Sequence, residues 1–233
     1  LNQHPPRAAA LMIDGPAGKL EALLEQPLAQ PPPLADSQDA APAAFGVICH
    51  PHPLYGGTMH NKVVYTIARA CQERAMPTLR FNFRGVGASA GSYDEGRGEI
   101  QDTLAVIAAG RARWPGAALT LAGFSFGAVV SLMAAAAAAP SRLISVAPAV
   151  TRVRAASIAR PACPWLIMQG DADELVDARD VQTFAAGFSP PPQLLLLPGV
   201  GHFFHGRLDQ LRDAAIAFLA AAEKAAAGRR GAD

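Results

Sequence analysis

Ala118-Leu119-Thr120-Leu121-Ala122-Gly123-Phe124-Ser125-Phe126-Gly127-Ala128-Val129-Val130-Ser131-Leu132-Met133, running on through alanines 134–139 to Pro140, is the stretch on which the reading of this chain turns. Residues 118–122 are continuously apolar at strand length, and the alanine-rich run behind them is built from the best helix former. Between the two lies Gly123-Phe124-Ser125-Phe126-Gly127, a G-x-S-x-G pentapeptide. A serine on so tight a strand-to-helix turn is pushed to the C-terminal edge of a sheet, and flanking glycines allow the close packing of a strained bend. The same turn aims the Phe126 N–H, at the helix N-terminus, toward an oxyanion developing on a carbonyl attacked by Ser125. Ser125 is the candidate nucleophile.

Outward from this turn the pattern repeats. Apolar runs at Phe45–Cys49, Thr78–Phe83, Leu143–Ala147, Trp165–Gln169 and Gln193–Leu197 alternate with stretches of helical period, in which Val63, Ile67 and Cys71 share one face and Leu208, Leu211, Ala215 and Phe218 another. Continuous apolar strands separated by helices predict a parallel sheet covered on both faces, an α/β fold. Ala8–Ile13 and Lys19–Leu24 read as a hairpin turning at Asp14-Gly15. The expected organisation is one domain over 1–233, with the hairpin and a Pro-rich surface loop (Pro27–Pro42) in 1–43 and a flexible tail at 228–233.

A serine nucleophile needs a general base held by a carboxylate. Gly170-Asp171-Ala172-Asp173-Glu174 follows the strand ending at Gln169, and Gly199-Val200-Gly201-His202-Phe203-Phe204-His205 follows the strand ending at Leu197. Both lie at C-terminal strand ends, the edge where open α/β sheets place their ligands. Asp173, at G-x-x-D spacing, is the expected acid, ahead of Asp171, which suits a turn-backbone bond, and Asp177. His202 is the expected base, ahead of His205. The order Ser, acid, His is that of the α/β-hydrolases.

Composition narrows the alternatives. Of 233 residues 51% are hydrophobic and 17% charged, enough for a large core and incompatible with a disordered chain. Twenty basic against 19 acidic side chains, a formal net charge of +1, leave no electrostatic footprint for nucleic acid. The most apolar stretch, Ala128–Ala139, falls short of the ~20 residues of a spanning helix, so no membrane partner is expected. Three cysteines, Cys49, Cys71 and Cys163, do not make a disulfide framework. Leu1–Arg7 lacks a secretory pattern, which makes the cytoplasm the expected location.

The segments HPHPLYGGTMHNKVVYTIARA (from His50), RFNFRGVGASAGSYDEG (from Arg80), AGFSFGA (from Ala122), QGDADELV (from Gln169) and GHFFHGRL (from Gly201) together resemble the α/β-hydrolase superfamily. More closely, they resemble its small bacterial dienelactone-hydrolase-like or esterase-like group. The resemblance implies an eight-stranded, mostly parallel sheet with an antiparallel second strand, and Ser125, Asp173 and His202 as a triad. True dienelactone hydrolases carry a cysteine nucleophile where this chain has Ser125. In the hydrolase layout the His50–Gly57 loop donates the second oxyanion N–H. Pro51 and Pro53 have none to give, which leaves His52 first, with Tyr55 and Leu54 behind it. Tyr55, Met59, Tyr93 and Phe203 are expected to line the substrate pocket, and Phe204 fits pocket or core. Arg84, in a glycine-rich turn, is expected to pair with Glu99 or Asp102.

His50 and His52, with His60, His202 and His205, also admit a metal reading, but H-x-H in hydrolytic zinc enzymes comes with a nearby Asp and none follows before Asp94. No metal or organic cofactor is expected. The interval Pro148–Cys163 leaves no room for a helical cap. The expectation is therefore an open site taking small-molecule esters of short to medium acyl chain, in a monomer or homodimer. A thioesterase, amidase or peptidase on the same triad, or a catalytically silent binding protein, are the alternatives.

Overall fold

Alternation along the central strands decides which helix covers which face. The structure, a computed structural model, describes residues 8–28, 41–152 and 158–230. The elements are β1 (Ala8–Gly15), β2 (Gly18–Glu25), β3 (Ala44–Cys49), α1 (Lys62–Glu73), β4 (Thr78–Phe81), α2 (Arg97–Arg113) and β5 (Ala118–Phe124), then α3 (Phe126–Ala138), β6 (Arg142–Val146), β7 (Trp165–Gly170), α4 (Ala178–Ala186), β8 (Gln193–Leu197) and α5 (Leu208–Arg230). The strands form one eight-stranded sheet in the order β1-β2-β4-β3-β5-β6-β7-β8. β2 is antiparallel to both its neighbours, and every pairing from β4 across to β8 is parallel.

Phe45, Val47, Leu119, Leu121, Leu143, Trp165 and Ile167 point to one face, where they pack with Val106 and Ile107 of α2, Val130 and Leu132 of α3, and Val181 and Phe184 of α4. The intervening residues Ile48, Ala122, Phe124, Ile144, Val146, Leu166 and Met168 point to the other, against Val63, Ile67 and Cys71 of α1 and Leu211, Ala215 and Phe218 of α5. Successive side chains of a strand point to opposite faces, so a strand apolar at every position requires helices on both. This is why the runs read from the sequence are continuous rather than alternating.

Three expectations need correcting. The hairpin turns at Pro16-Ala17, not Asp14-Gly15, which instead pair with Lys19 and Gly18 in the ladder. That register sets Ile13 opposite Leu20 on the core face, with Ala22 and Leu24 following at period 2. The strand predicted over Thr78–Phe83 ends at Phe81. Residues 228–230, expected in a flexible tail, belong instead to the alanine-rich α5, which is helical to Arg230. Most of the Pro27–Pro42 loop, and residues 231–233, lie outside the described residues. No helix among the described residues is long and apolar enough to cross a membrane.

The antiparallel side of the sheet is locked by a buried ion pair. Arg80 on β4 donates through Nε to Glu25 Oε2 (2.7 Å) and through Nη2 to Glu25 Oε1 (2.8 Å), a two-pronged contact across the strands. Arg80 Nη1 also donates to the Met59 carbonyl, and the Thr78 hydroxyl to Glu25 Oε2. Both charged side chains are buried. Removing one partner of such a pair strands the other charge away from water. Arg80→Leu is expected to lower unfolding free energy by about 3–5 kcal/mol in urea denaturation, and Arg80→Leu combined with Glu25→Leu to recover much of that loss.

Candidate active site

The turn at Ser125 is as strained as its sequence predicts. Ser125 has φ 54° and ψ −115°, a left-handed conformation rare for a residue with a side chain. Its N–H is tied to the Val146 carbonyl (2.9 Å) on the neighbouring strand. A Cβ at Gly123 would sit 2.1 Å from the Gly127 carbonyl oxygen, and one at Gly127 would sit 2.3 Å from that of His50. Both positions must therefore be glycine. Between them the first turn of α3 lies directly on the end of β3, and Ser125 projects from the sheet edge.

The strand-end loops after β7 and β8 bring an acid and a base to the same place. His202 Nε2 is 3.1 Å from Ser125 Oγ, and His202 Nδ1 is 2.8 Å from Asp173 Oδ2. A carboxylate only accepts, so Nδ1 carries the proton and Nε2 is left to accept from the serine hydroxyl. His202 and Asp173 are buried from solvent at their functional ends. Asp173 Oδ1 accepts the backbone N–H groups of Leu175 (2.9 Å) and Val176 (2.8 Å). Burial pushes the Asp173 carboxyl up, but the bonds from His202, Val176 and Leu175 outweigh it and hold the group below the usual aspartate value. The rival acids have other work: Asp171 accepts the Gly199 N–H (2.6 Å), tying the two loops together, and Asp177 caps α4 by accepting from Arg179 N.

Around Ser125 the sequence expectations divide. The ring of His52 lies 4.7 Å from that of Tyr55, 5.0 Å from Tyr93 and 4.9 Å from Phe126, an aromatic cluster on the nucleophile's flank. Tyr93 Oη and His52 Nε2 are 3.2 Å apart. Phe203 is 41% exposed and packs edge-on against the His202 ring (5.1 Å). Met59, expected in the pocket, is instead buried: its N–H donates to Asn82 Oδ1 (2.8 Å) and its carbonyl accepts from Arg80. Phe204 belongs to the core, and the ring of His205 stands 5.9 Å from that of Phe203. Arg84 pairs with Asp102 through Nε–Oδ2 (3.0 Å) and Nη2–Oδ1 (2.7 Å), not with Glu99. A cavity of about 1240 Å³ opens at the opposite sheet edge beside Arg74, Trp114 and Arg142.

The His50–Gly57 loop is set by its own hydrogen bonds. Leu54 N donates to His52 Nδ1 (3.3 Å), and Tyr55 N and Gly57 N both donate to the His52 carbonyl (3.1 Å each), so the Leu54 and Tyr55 donors are already engaged. Phe126 is the first residue of α3, and its N–H has no partner within the helix. Sequence reasoning missed the side chains that hold these loops. Glu174 accepts the His202 N–H (3.1 Å), and bonds from its own backbone and from His202 lower its pKa. His50, read from the sequence as part of the His50–Gly57 loop, is fully buried, with Nδ1 donating to the Pro51 carbonyl (2.6 Å) and Nε2 accepting from Phe83 N (3.0 Å). Both ring nitrogens are thus committed. Among the described residues no three His, Cys, Asp or Glu side chains gather as a metal site.

This geometry has close counterparts. A Xanthomonas campestris structure described as an α/β serine hydrolase without a lid is 43% identical, covers 94% of this chain and 96% of its own, and superimposes with a TM-score of 0.83. The chain belongs to the lidless α/β serine hydrolases. An α/β serine hydrolase homologue from Coxiella burnetii is 42% identical over 92% of this chain and 98% of its own, with a TM-score of 0.82. An uncharacterised protein of Rickettsia prowazekii is 29% identical over 90% of this chain and 87% of its own length. No family model matches the chain. This lidless hydrolase is thus an enzyme.

His50 gives this enzyme a measurable acid sensitivity. Burial lowers its pKa from the ordinary 6.5 to about 4, against the smaller opposing pull of the Pro51 bond. Between those values the unfolded chain takes up a proton that the folded one refuses, so stability falls as pH falls. From pH 7.5 to about 4, the wild type is expected to lose about 3 kcal/mol more unfolding free energy than His50→Gln, read by urea denaturation at both pH values.

Proposed function

We propose that this hydrolase is a carboxylesterase for small esters of short to medium acyl chain, with Ser125 as nucleophile, His202 as general base and acid, and Asp173 orienting the imidazole. The observation that carries the reading is the unbroken hydrogen-bonded line from Ser125 Oγ through His202 to Asp173, at 3.1 and 2.8 Å. Ser125 Oγ attacks the ester carbonyl while His202 Nε2 takes its proton, and the imidazolium is stabilised by the ionised Asp173. The tetrahedral oxyanion is received by the N–H of Phe126 and that of His52, the residue left among the three considered once Leu54 and Tyr55 are engaged within the loop. His202 then passes its proton to the departing alkoxide. A water attacks the acyl carbonyl and loses a proton to Nε2, and as the acyl–Oγ bond breaks Nε2 returns that proton to Ser125 Oγ, releasing the carboxylic acid.

The chain-length preference follows from the surroundings. Leu54 (66%), Tyr55 (81%), Leu175 (61%) and Phe203 (41%) are large apolar side chains left exposed on the loops at this edge. They offer contact along a modest acyl chain without enclosing a long one. The same triad serves thioesters and amides, so the leaving group is set by fit rather than by the catalytic atoms.

A fluorophosphonate probe is expected to label one serine, Ser125, and Ser125→Ala to lower kcat by about 10⁶ toward p-nitrophenyl butyrate. Asp173→Asn is expected to lower it by about 10⁴. Rates across p-nitrophenyl acetate to octanoate should exceed those on long-chain triglycerides. Labelling without ester turnover would move the reading to thioesters or amides, and no labelling of the folded protein would overturn it.

A further inference from the structure

The acid loop is organised around a side chain that the mechanism above does not use. Gln169 is the penultimate residue of β7, paired in the ladder with Leu196 and fully buried. Its amide nitrogen lies 2.9 Å from Asp173 Oδ2, 3.1 Å from the Gly170 carbonyl and 3.1 Å from the Val176 carbonyl. Rotating the amide would turn its own oxygen against three acceptors, so the orientation is fixed by chemistry. The other end, Oε1, has no hydrogen-bond partner among the described residues. A buried carbonyl left in that condition is unfavourable for folding, and an apolar side chain of the same length would remove it. What the apolar side chain would not provide is an N–H at Asp173.

We propose that Gln169 is a positioning residue for catalysis, holding Asp173 Oδ2 in line with the imidazole; this rests on the Ser125–His202–Asp173 reading. The four donors to Asp173 divide the work. Leu175 N and Val176 N fix Oδ1, while Oδ2 is shared between Gln169 and His202 Nδ1. In each catalytic cycle His202 passes from neutral to charged and back, so its own bond to Oδ2 tightens and relaxes. Gln169 is neutral and sits on a paired strand, and its hold on Oδ2 does not change with the charge on the imidazole. It also ties Gly170 to Val176, closing the turn that carries Asp173. The carboxylate thereby stays where His202 needs it during the steps when the imidazole bond is weakest. In metal sites, side chains that orient a ligating histidine at one remove contribute about 10- to 100-fold, and the same order is expected here.

The test compares Gln169→Met, Asp173→Asn and the double variant on p-nitrophenyl butyrate. The expected result is a fall in kcat of about tenfold or more for Gln169→Met with KM within about twofold, and no further fall when Gln169→Met is added to Asp173→Asn. A folded Gln169→Met with wild-type kcat, beside an inactive Asp173→Asn, would overturn the inference and leave the triad standing. An additive fall in the double variant would do the same, since the effect would not pass through Asp173. Wild-type activity in Asp173→Asn would overturn the triad itself, and this inference with it. If Gln169→Met does not fold, the isosteric Gln169→Glu, which replaces the amide donor with a carboxyl facing Asp173, reads the same two quantities with the same expectation.

Discussion

Everything at the catalytic edge depends on one close contact, the seating of α3 on the end of β3. Without side chains at Gly123 and Gly127, the helix can approach until its first turn meets the carbonyls of Cys49 and His50. That approach forces Ser125 into a left-handed conformation that no serine would choose on its own. The strain is sustained because the residue is held on several sides. Its N–H is bonded to Val146, its carbonyl accepts from Ala128 and Ala149, and the flanking Phe124 is buried in the core. A loop could not impose such a conformation; a strand and a helix packed without intervening side chains can.

The remaining parts of the site are placed by the same sheet but secured differently. Asp173 and His202 sit on loops after adjacent parallel strands, and these loops are stitched by polar contacts rather than by packing. Asp171 reaches Gly199, Glu174 reaches the His202 backbone, and Gln169 spans its own turn. On the other side His50 joins the oxyanion loop to the segment after β4, while Arg80 holds Met59 from below. The nucleophile is thus positioned by steric closeness, and its partners by hydrogen bonds.

This division explains what could be read from the sequence. Steric closeness leaves a local signature, glycines at fixed spacing between a strand and a helix, and parallel strands leave continuous apolar runs. Ser125, the sheet and the edge at which the loops gather were legible for that reason. So was the preference for Asp173 over Asp171, because the two sit at different distances from the same strand end. Hydrogen bonds between loops leave no such pattern. Gln169 and Glu174 look like any polar residues beside an acid, and His50 beside His52 suggested ligands when its nitrogens serve Pro51 and Phe83. Met59 is buried beside Asn82 and Arg80, a placement that nearness in sequence to an exposed loop does not reveal. The hairpin turn was misplaced because Asp-Gly is a stronger local signal than Pro-Ala. The register that buries Ile13 against Leu20 overrides it.

β8 lies at the outer margin of the sheet and pairs with β7 alone. The loop that follows it carries His202, whereas Ser125 follows interior β5, and the chain delivers them in the order serine, carboxylate, imidazole. As the chain emerges during synthesis, the sheet around Ser125 can assemble before the strand that brings His202 has been made. On the proposed mechanism, a chain whose β8 has not yet docked lacks the imidazole beside Ser125, so reactivity waits on that strand. The timing of catalytic competence is written into strand order.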